Sequence, residues 1–134
     1  MSGRVLPVAA AIRISLMCES PIVYQTLGPR LSADRSLNVV SSHDCTIDEV
    51  PTALAHHPHV VILGISRITH FNKIIVQVLR QTTPNVRIIM LPSYLDTPDD
   101  VLQARAAGAD VVLEKSIDTP ILVEHIHRLV NQAA

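Results

Sequence analysis

Pro58-His59-Val60-Val61-Ile62-Leu63-Gly64-Ile65-Ser66 is the stretch on which the organisation of this chain turns. Its apolar residues are contiguous rather than alternating, and several are β-branched, which is the signature of a strand covered on both faces. Gly64 is expected to break the strand into a loop. Four more runs of the same kind lie outward from it, at Ile12–Met17, Leu37–Ser41, Val86–Leu91 and Asp110–Glu114, with His59–Leu63 as the central one. Stretches with helical spacing separate them. Strands alternating with helices point to right-handed βαβ crossovers and a parallel sheet.

Composition agrees. A chain of 134 residues is long enough to bury a real core, and 48% hydrophobic against 17% charged residues excludes a disordered polymer. Aromatics are only 2%, so Ile, Val, Leu and Ala must build that core. The net charge of −1, with Lys and Arg scattered, gives no basic stripe and argues against direct nucleic-acid binding. No apolar run reaches the roughly 18 residues of a membrane span. Cys18 and Cys45 make no disulfide framework, and a reducing cytoplasm is the plainer setting. Met1-Ser2-Gly3-Arg4-Val5-Leu6-Pro7-Val8-Ala9-Ala10-Ala11 faintly resembles a signal peptide, but Pro7 interrupts its short apolar stretch. Residues 1–11 are read as a loosely packed tail and 12–132 as one domain, with no repeat or low-complexity tract.

The helix starts are legible. Ser20-Pro21, Thr97-Pro98 and Thr119-Pro120 each pair a capping hydroxyl with a proline at the first helical position, where a missing N–H costs nothing. Asp99 and Asp100 add negative charge at a positive helix end. Thr46 and Glu49 have the spacing of a capping box, which places a second helix start between Thr46 and Pro51. A third helix over about Asn72–Gln81 has the weakest start signal. Gly108 suits a left-handed helix terminus. The last helix, Pro120–Asn131, offers Ile121, Leu122, Ile126, Leu129 and Val130 to an inner face.

In an open parallel sheet, chemistry gathers beyond the carboxyl ends of the strands. Those ends carry Cys18-Glu19, Gly64, Pro92-Ser93 and Lys115. Three motifs together resemble the receiver domain of bacterial two-component response regulators. Ile12-Arg13-Ile14-Ser15-Leu16-Met17-Cys18-Glu19-Ser20-Pro21 is similar to that family's first strand, which ends in two acids. Arg87-Ile88-Ile89-Met90-Leu91 is similar to its fourth. Ala106-Ala107-Gly108-Ala109-Asp110-Val111-Val112-Leu113-Glu114-Lys115-Ser116 is similar to its fifth strand and invariant lysine. The resemblance spans about Ile12 to Val130 and is nearest to receivers that precede a helix-turn-helix in transcription factors. It implies a flavodoxin-like three-layer α/β/α sandwich with a five-stranded parallel sheet in the order 2-1-3-4-5.

The resemblance also says what is missing. In receivers, acids after strand one and an acceptor aspartate after strand three hold magnesium, which bridges the incoming phosphoryl group. Here Cys18 replaces the first acid, Glu19 the second, and Gly64 the acceptor. Pro92, followed by Ser93, replaces a phosphoryl-binding hydroxyl, and Val112 replaces the aromatic switch residue. Only Lys115 and, conservatively, Glu19 remain. No metal or other cofactor is expected. Lys115 is expected to pair with Glu19 across the vacated pocket.

Other reactive residues have plainer readings. Cys18 and Cys45 follow adjacent strands and read as free, partly buried thiols rather than a redox pair. The histidines, among them His56, His57, His59, His125 and His127, read as solvated, because His125 and His127 lie on different helix faces. Asp96, Asp99 and Asp100 read as capping residues. Ser93 lacks a base and an oxyanion site, so it is not a nucleophile.

The expected protein is therefore not an enzyme but a receiver-like domain that acts by protein interaction or dimerisation without phosphorylation. The resemblance places the interface on helix four, strand five and helix five, with Arg105, Asp110, Glu114, Glu124 and Arg128 as candidates, and the setting in transcriptional or signalling control. Two other readings stay open: a sensor of a small anion or metabolite at the former phosphorylation pocket, and a phospho-acceptor switch that uses an unexpected residue.

Overall fold

A computed structural model describes residues 11–132; the expected N-terminal tail lies outside them except for Ala11. The strands are β1 (Ile12–Cys18), β2 (Leu37–Asp44), β3 (Val60–Ile65), β4 (Arg87–Pro92) and β5 (Val111–Val112). The helices are α1 (Pro21–Ser32), α2 (Val50–Ala55, entered through a 3-10 turn at Ile47–Glu49), α3 (His70–Thr82), α4 (Pro98–Ala107) and α5 (Thr119–Asn131). All strand pairs are parallel and the sheet order is β2-β1-β3-β4-β5. This is the flavodoxin-like α/β/α architecture.

Side-chain alternation along the strands divides the core in two. Ile14, Leu16, Cys18, Val60, Ile62, Ile89 and Leu91 pack with Leu27, Leu31, Leu122 and Ile126 of α1 and α5. Met17, Val61, Leu63, Ile65, Ile88 and Met90 pack with Ala53, Ile75, Val76, Leu79 and Ala104 from α2, α3 and α4. Full burial of each Val, Leu, Ile or Met among these contributes roughly 1.5–3 kcal/mol. The buried Ser15 hydroxyl is satisfied by Ser41 Oγ at 2.8 Å and the Ala53 carbonyl at 3.0 Å.

Several local expectations change. Gly64 does not break β3. It is a strand residue paired with Cys18 on one side and Leu91 on the other, and the strand ends at Ile65. β5 is shorter than Asp110–Glu114, yet the ladder continues through Asp110 N–H to Ile88 O, Leu113 N–H to Met90 O and Lys115 N–H to Pro92 O, each at 2.9 Å. The Ser20 hydroxyl makes no capping bond. Thr119 begins α5 rather than capping it, and its Oγ1 accepts from Arg30. Thr46 makes no capping bond either, and the Glu49 carboxylate turns to His43 Nδ1 at 3.2 Å. The α3 start carries a capping box, as the α4 start does through Thr97 and Asp100: Asn72 N–H donates to Thr69 Oγ1 and Thr69 N–H to Asn72 Oδ1. Gly108 ends α4 at φ +128° as expected. Ile121 is exposed, while Leu122, Ile126 and Leu129 form the inner face of α5.

Candidate functional site

The carboxyl ends of β1, β3, β4 and β5 bring Cys18, Glu19, Gly64, Pro92, Ser93 and Lys115 to one end of the sheet. Backbone bonds bind this end together. Glu19 N–H donates to Gly64 O, Ser93 N–H to Ile65 O and Lys115 N–H to Pro92 O, all at 2.9 Å. Pro92 is buried and Ser93 exposed.

The centre of the cluster is filled. A Cβ placed on Gly64 would lie 2.9 Å from Val23 Cγ1 of α1, closer than real Cβ contacts come, and 3.0 Å from Cys18 Sγ, tighter than most of them. Gly64 does not have the left-handed backbone that would call for glycine; the space around it does. Val23 is β-branched and stiff at χ1, so it yields little. Cys18 is neutral: burial pushes its thiol up to about 11, against smaller opposing effects of a Gly64 backbone hydrogen bond and the Lys115 charge. Burial likewise pushes Cys45 up to about 12, helped by Glu19 and Cys18. Both thiols are free and more deeply buried than expected, and Cys45 N–H donates to Cys18 O at 3.1 Å.

Glu19 and Lys115 do not form the expected pair. Glu19 Oε1 accepts from Ser66 N–H at 2.6 Å, holding the β3–α3 loop. Among the described residues, no carboxylate is within ion-pair distance of Lys115. The side chain is half-buried and lines a cavity between α1 and α5. Among the described residues, no three His, Cys, Asp or Glu side chains group as a metal site.

The five interface candidates separate into two kinds. Arg105 and Glu114 are exposed, and Arg128 and Glu124 form an exposed i,i+4 pair at 2.9 Å. Asp110 is committed inside the fold: its carboxylate accepts from Arg80 Nη2 and from Ile88 N–H, each at 2.7 Å. The same Arg80 donates to the carbonyls of Pro84, Val86 and Gly108. Asp110 therefore fastens α3 to β4 and is a poor surface contact.

Of the acidic cluster, only Asp100 caps, accepting from Asp96 and Thr97 N–H at 3.1 Å. Asp96 pairs with Arg67, whose guanidinium lies 5.2 Å from the Tyr94 ring centre, and Asp99 bonds Gln103. The histidines are less solvated than expected. His59 Nδ1 accepts from Arg13 N–H, and burial lowers its pKa. His127 bonds Ser36 Oγ. His43 is buried, with Nε2 unpartnered.

No protein-family profile and no curated protein sequence matches the chain. Solved structures do. The signal receiver domain of the response regulator NarL from Mycobacterium tuberculosis superposes with a TM-score of 0.80 at 20% identity, over 92% of this chain and 99% of that one. The response regulator domain of Thermotoga maritima CheB gives 0.75 at 18% identity, over 92% and 99%. The CheX–CheY complex of Borrelia burgdorferi, which holds beryllium fluoride and magnesium, matches at 0.75 and 14% identity, over 92% of each chain. The fold is thus that of response-regulator receiver domains, and at these identities the likeness is one of fold.

Proposed function

We propose that this chain is a receiver-like signalling domain that works without a phosphoryl group, by presenting a constitutive docking surface to a second copy or another protein. The observation that carries this reading is the filled space at Gly64. The position that resembles the acceptor has no side chain, and Val23 and Cys18 occupy the room one would need. A neutral Cys18 in place of an acid, and a Glu19 engaged by Ser66, leave little carboxylate to hold a hard cation.

The proposed surface is α4, β5 and α5, with Arg105, Glu114, Glu124 and Arg128 as its charged residues; Asp110 supports it from below. A receiver-fold neighbour was solved bound to a partner protein, which supports docking as a use of this fold. The sequence resemblance to receivers preceding a helix-turn-helix supports a role in transcriptional control. Two free thiols fit a reducing cytoplasm, and no helix among the described residues is long and apolar enough to cross a membrane. Sedimentation at micromolar concentration tests the surface. The expected result is an isologous dimer that Arg105→Glu or Arg128→Glu weakens with little effect on folding, since exposed ion pairs contribute about 0–1 kcal/mol. A strict monomer, or a dimer indifferent to both reversals, would remove this surface.

A further inference from the structure

A cavity of about 220 Å³ opens between α1 and α5 beside the end of β4. Val23, Leu27, Leu91 and Leu122 give it apolar walls, and Arg30 and Lys115 are the charged residues on its lining. No carboxylate lines it. Arg30 is held in place through Nε and Nη2, which donate to Thr119 Oγ1 at 2.9 and 2.5 Å, leaving Nη1 without a partner among the described residues. The Lys115 ammonium has no hydrogen-bond or ion-pair partner there either. Arg30 is exposed and stays hydrated, whereas Lys115 is half-buried, and a half-buried cation beside apolar walls gains from an anion that meets it.

We propose that this cavity is a binding site for a small organic monoanion, a carboxylate on a compact apolar body such as an aromatic ring. The size fits: an apolar cavity of about 150 Å³ accepts benzene, and this one is larger. A few polar groups on a mostly apolar concave wall are the usual build of a ligand site. Lys115 supplies a point charge and Arg30 a planar fork for the carboxylate. The cavity adjoins the Gly64 cluster, sharing Lys115 with it, and Val23 stands between Gly64 and the cavity wall. Because α5 forms one wall, an occupant would bear on the proposed docking surface. Binding does not require that surface, so a monomeric chain should still take the ligand.

The probe is benzoate, titrated into isotopically labelled wild-type protein while amide shifts are followed, with benzyl alcohol and benzylamine as neutral and cationic counterparts. Saturable benzoate shifts are expected along Val23–Arg30 and Ile117–Leu122. Benzyl alcohol should bind about fivefold to tenfold more weakly and benzylamine not at all. Lys115→Met and Arg30→Met should each weaken benzoate toward the alcohol's affinity. Thr26→Phe, on the exposed cavity rim, should block both ligands while the spectrum stays folded. No saturable shift, shifts centred elsewhere, equal affinity for alcohol and acid, or indifference to both charge removals would overturn the site.

Discussion

Val23 Cγ1 of α1 stands 2.9 Å from the point that a Cβ on Gly64 of β3 would occupy. One helix side chain thus takes the room that any side chain at this strand position would need. Gly64→Ala should cost about 1–3 kcal/mol through overpacking. Val23→Ala should relieve much of that cost, so urea unfolding of the double variant should show a smaller loss than the sum of the two singles. Additive losses would mean that the two positions do not compete for space. Gly64→Asp meets the same atoms and should not restore phosphoryl uptake, since Cys18, Pro92 and Val112 remain. Efficient phosphorylation of that single variant would show that the rest of the machinery is intact.

The two buried thiols make an alkaline prediction. The ordinary value is 9.0, and the fold raises Cys18 to about 11 and Cys45 to about 12. The folded state therefore favours the protonated form. That stabilisation is complete below about pH 9 and is lost as pH rises toward about 11 and 12. Each unit of separation is worth about 1.4 kcal/mol. Equilibrium unfolding across this range should show a steep loss that is shallower in Cys18→Ala. Below pH 9 both thiols should react slowly with Ellman's reagent until the protein unfolds. Fast reaction in the native state would contradict the burial.

Arg80 and Asp110 should behave as a structural pair. Arg80→Met leaves the carbonyls of Val86 and Gly108 without that donor and the Asp110 carboxylate with Ile88 N–H but no guanidinium bond. A loss of about 1–3 kcal/mol is expected. Asp110→Ala should also lower the melting temperature, whereas Arg128→Glu should scarcely change it. Equal, small effects at all three positions would return Asp110 to the surface residues.

The strands were legible because contiguous β-branched runs admit few other readings, and the sheet order followed from the family resemblance, in line with right-handed crossovers. Gly108 was legible because a helix end with positive φ asks for glycine. The contents of the site were not. Val23 reaches Gly64 from a helix far away in the chain, and no local pattern announces that convergence. Charge alone pairs Lys115 with Glu19, but the Ser66 N–H takes the carboxylate. Asn72 hid the α3 capping box because Glu or Gln is the usual residue there. His43 escaped for a subtler reason. The register shift between Ile14 and Ser15 leaves Val40 as an extra residue in β2. One inserted residue turns every later side chain to the opposite face. Odd positions up to Val39 pack toward α1 and α5, whereas Ser41 and His43 meet Ala53-bound Ser15 and Glu49.

Intact mass after incubation with acetyl phosphate and magnesium tests the central claim most directly, read at once and without acid so that a labile acyl phosphate survives. Gly64 offers no acceptor oxygen, and its neighbours Val23 and Cys18 leave no room for one. The predicted spectrum is that of the unmodified chain. A stoichiometric phosphoryl adduct, on any residue, would contradict a domain that signals without phosphorylation.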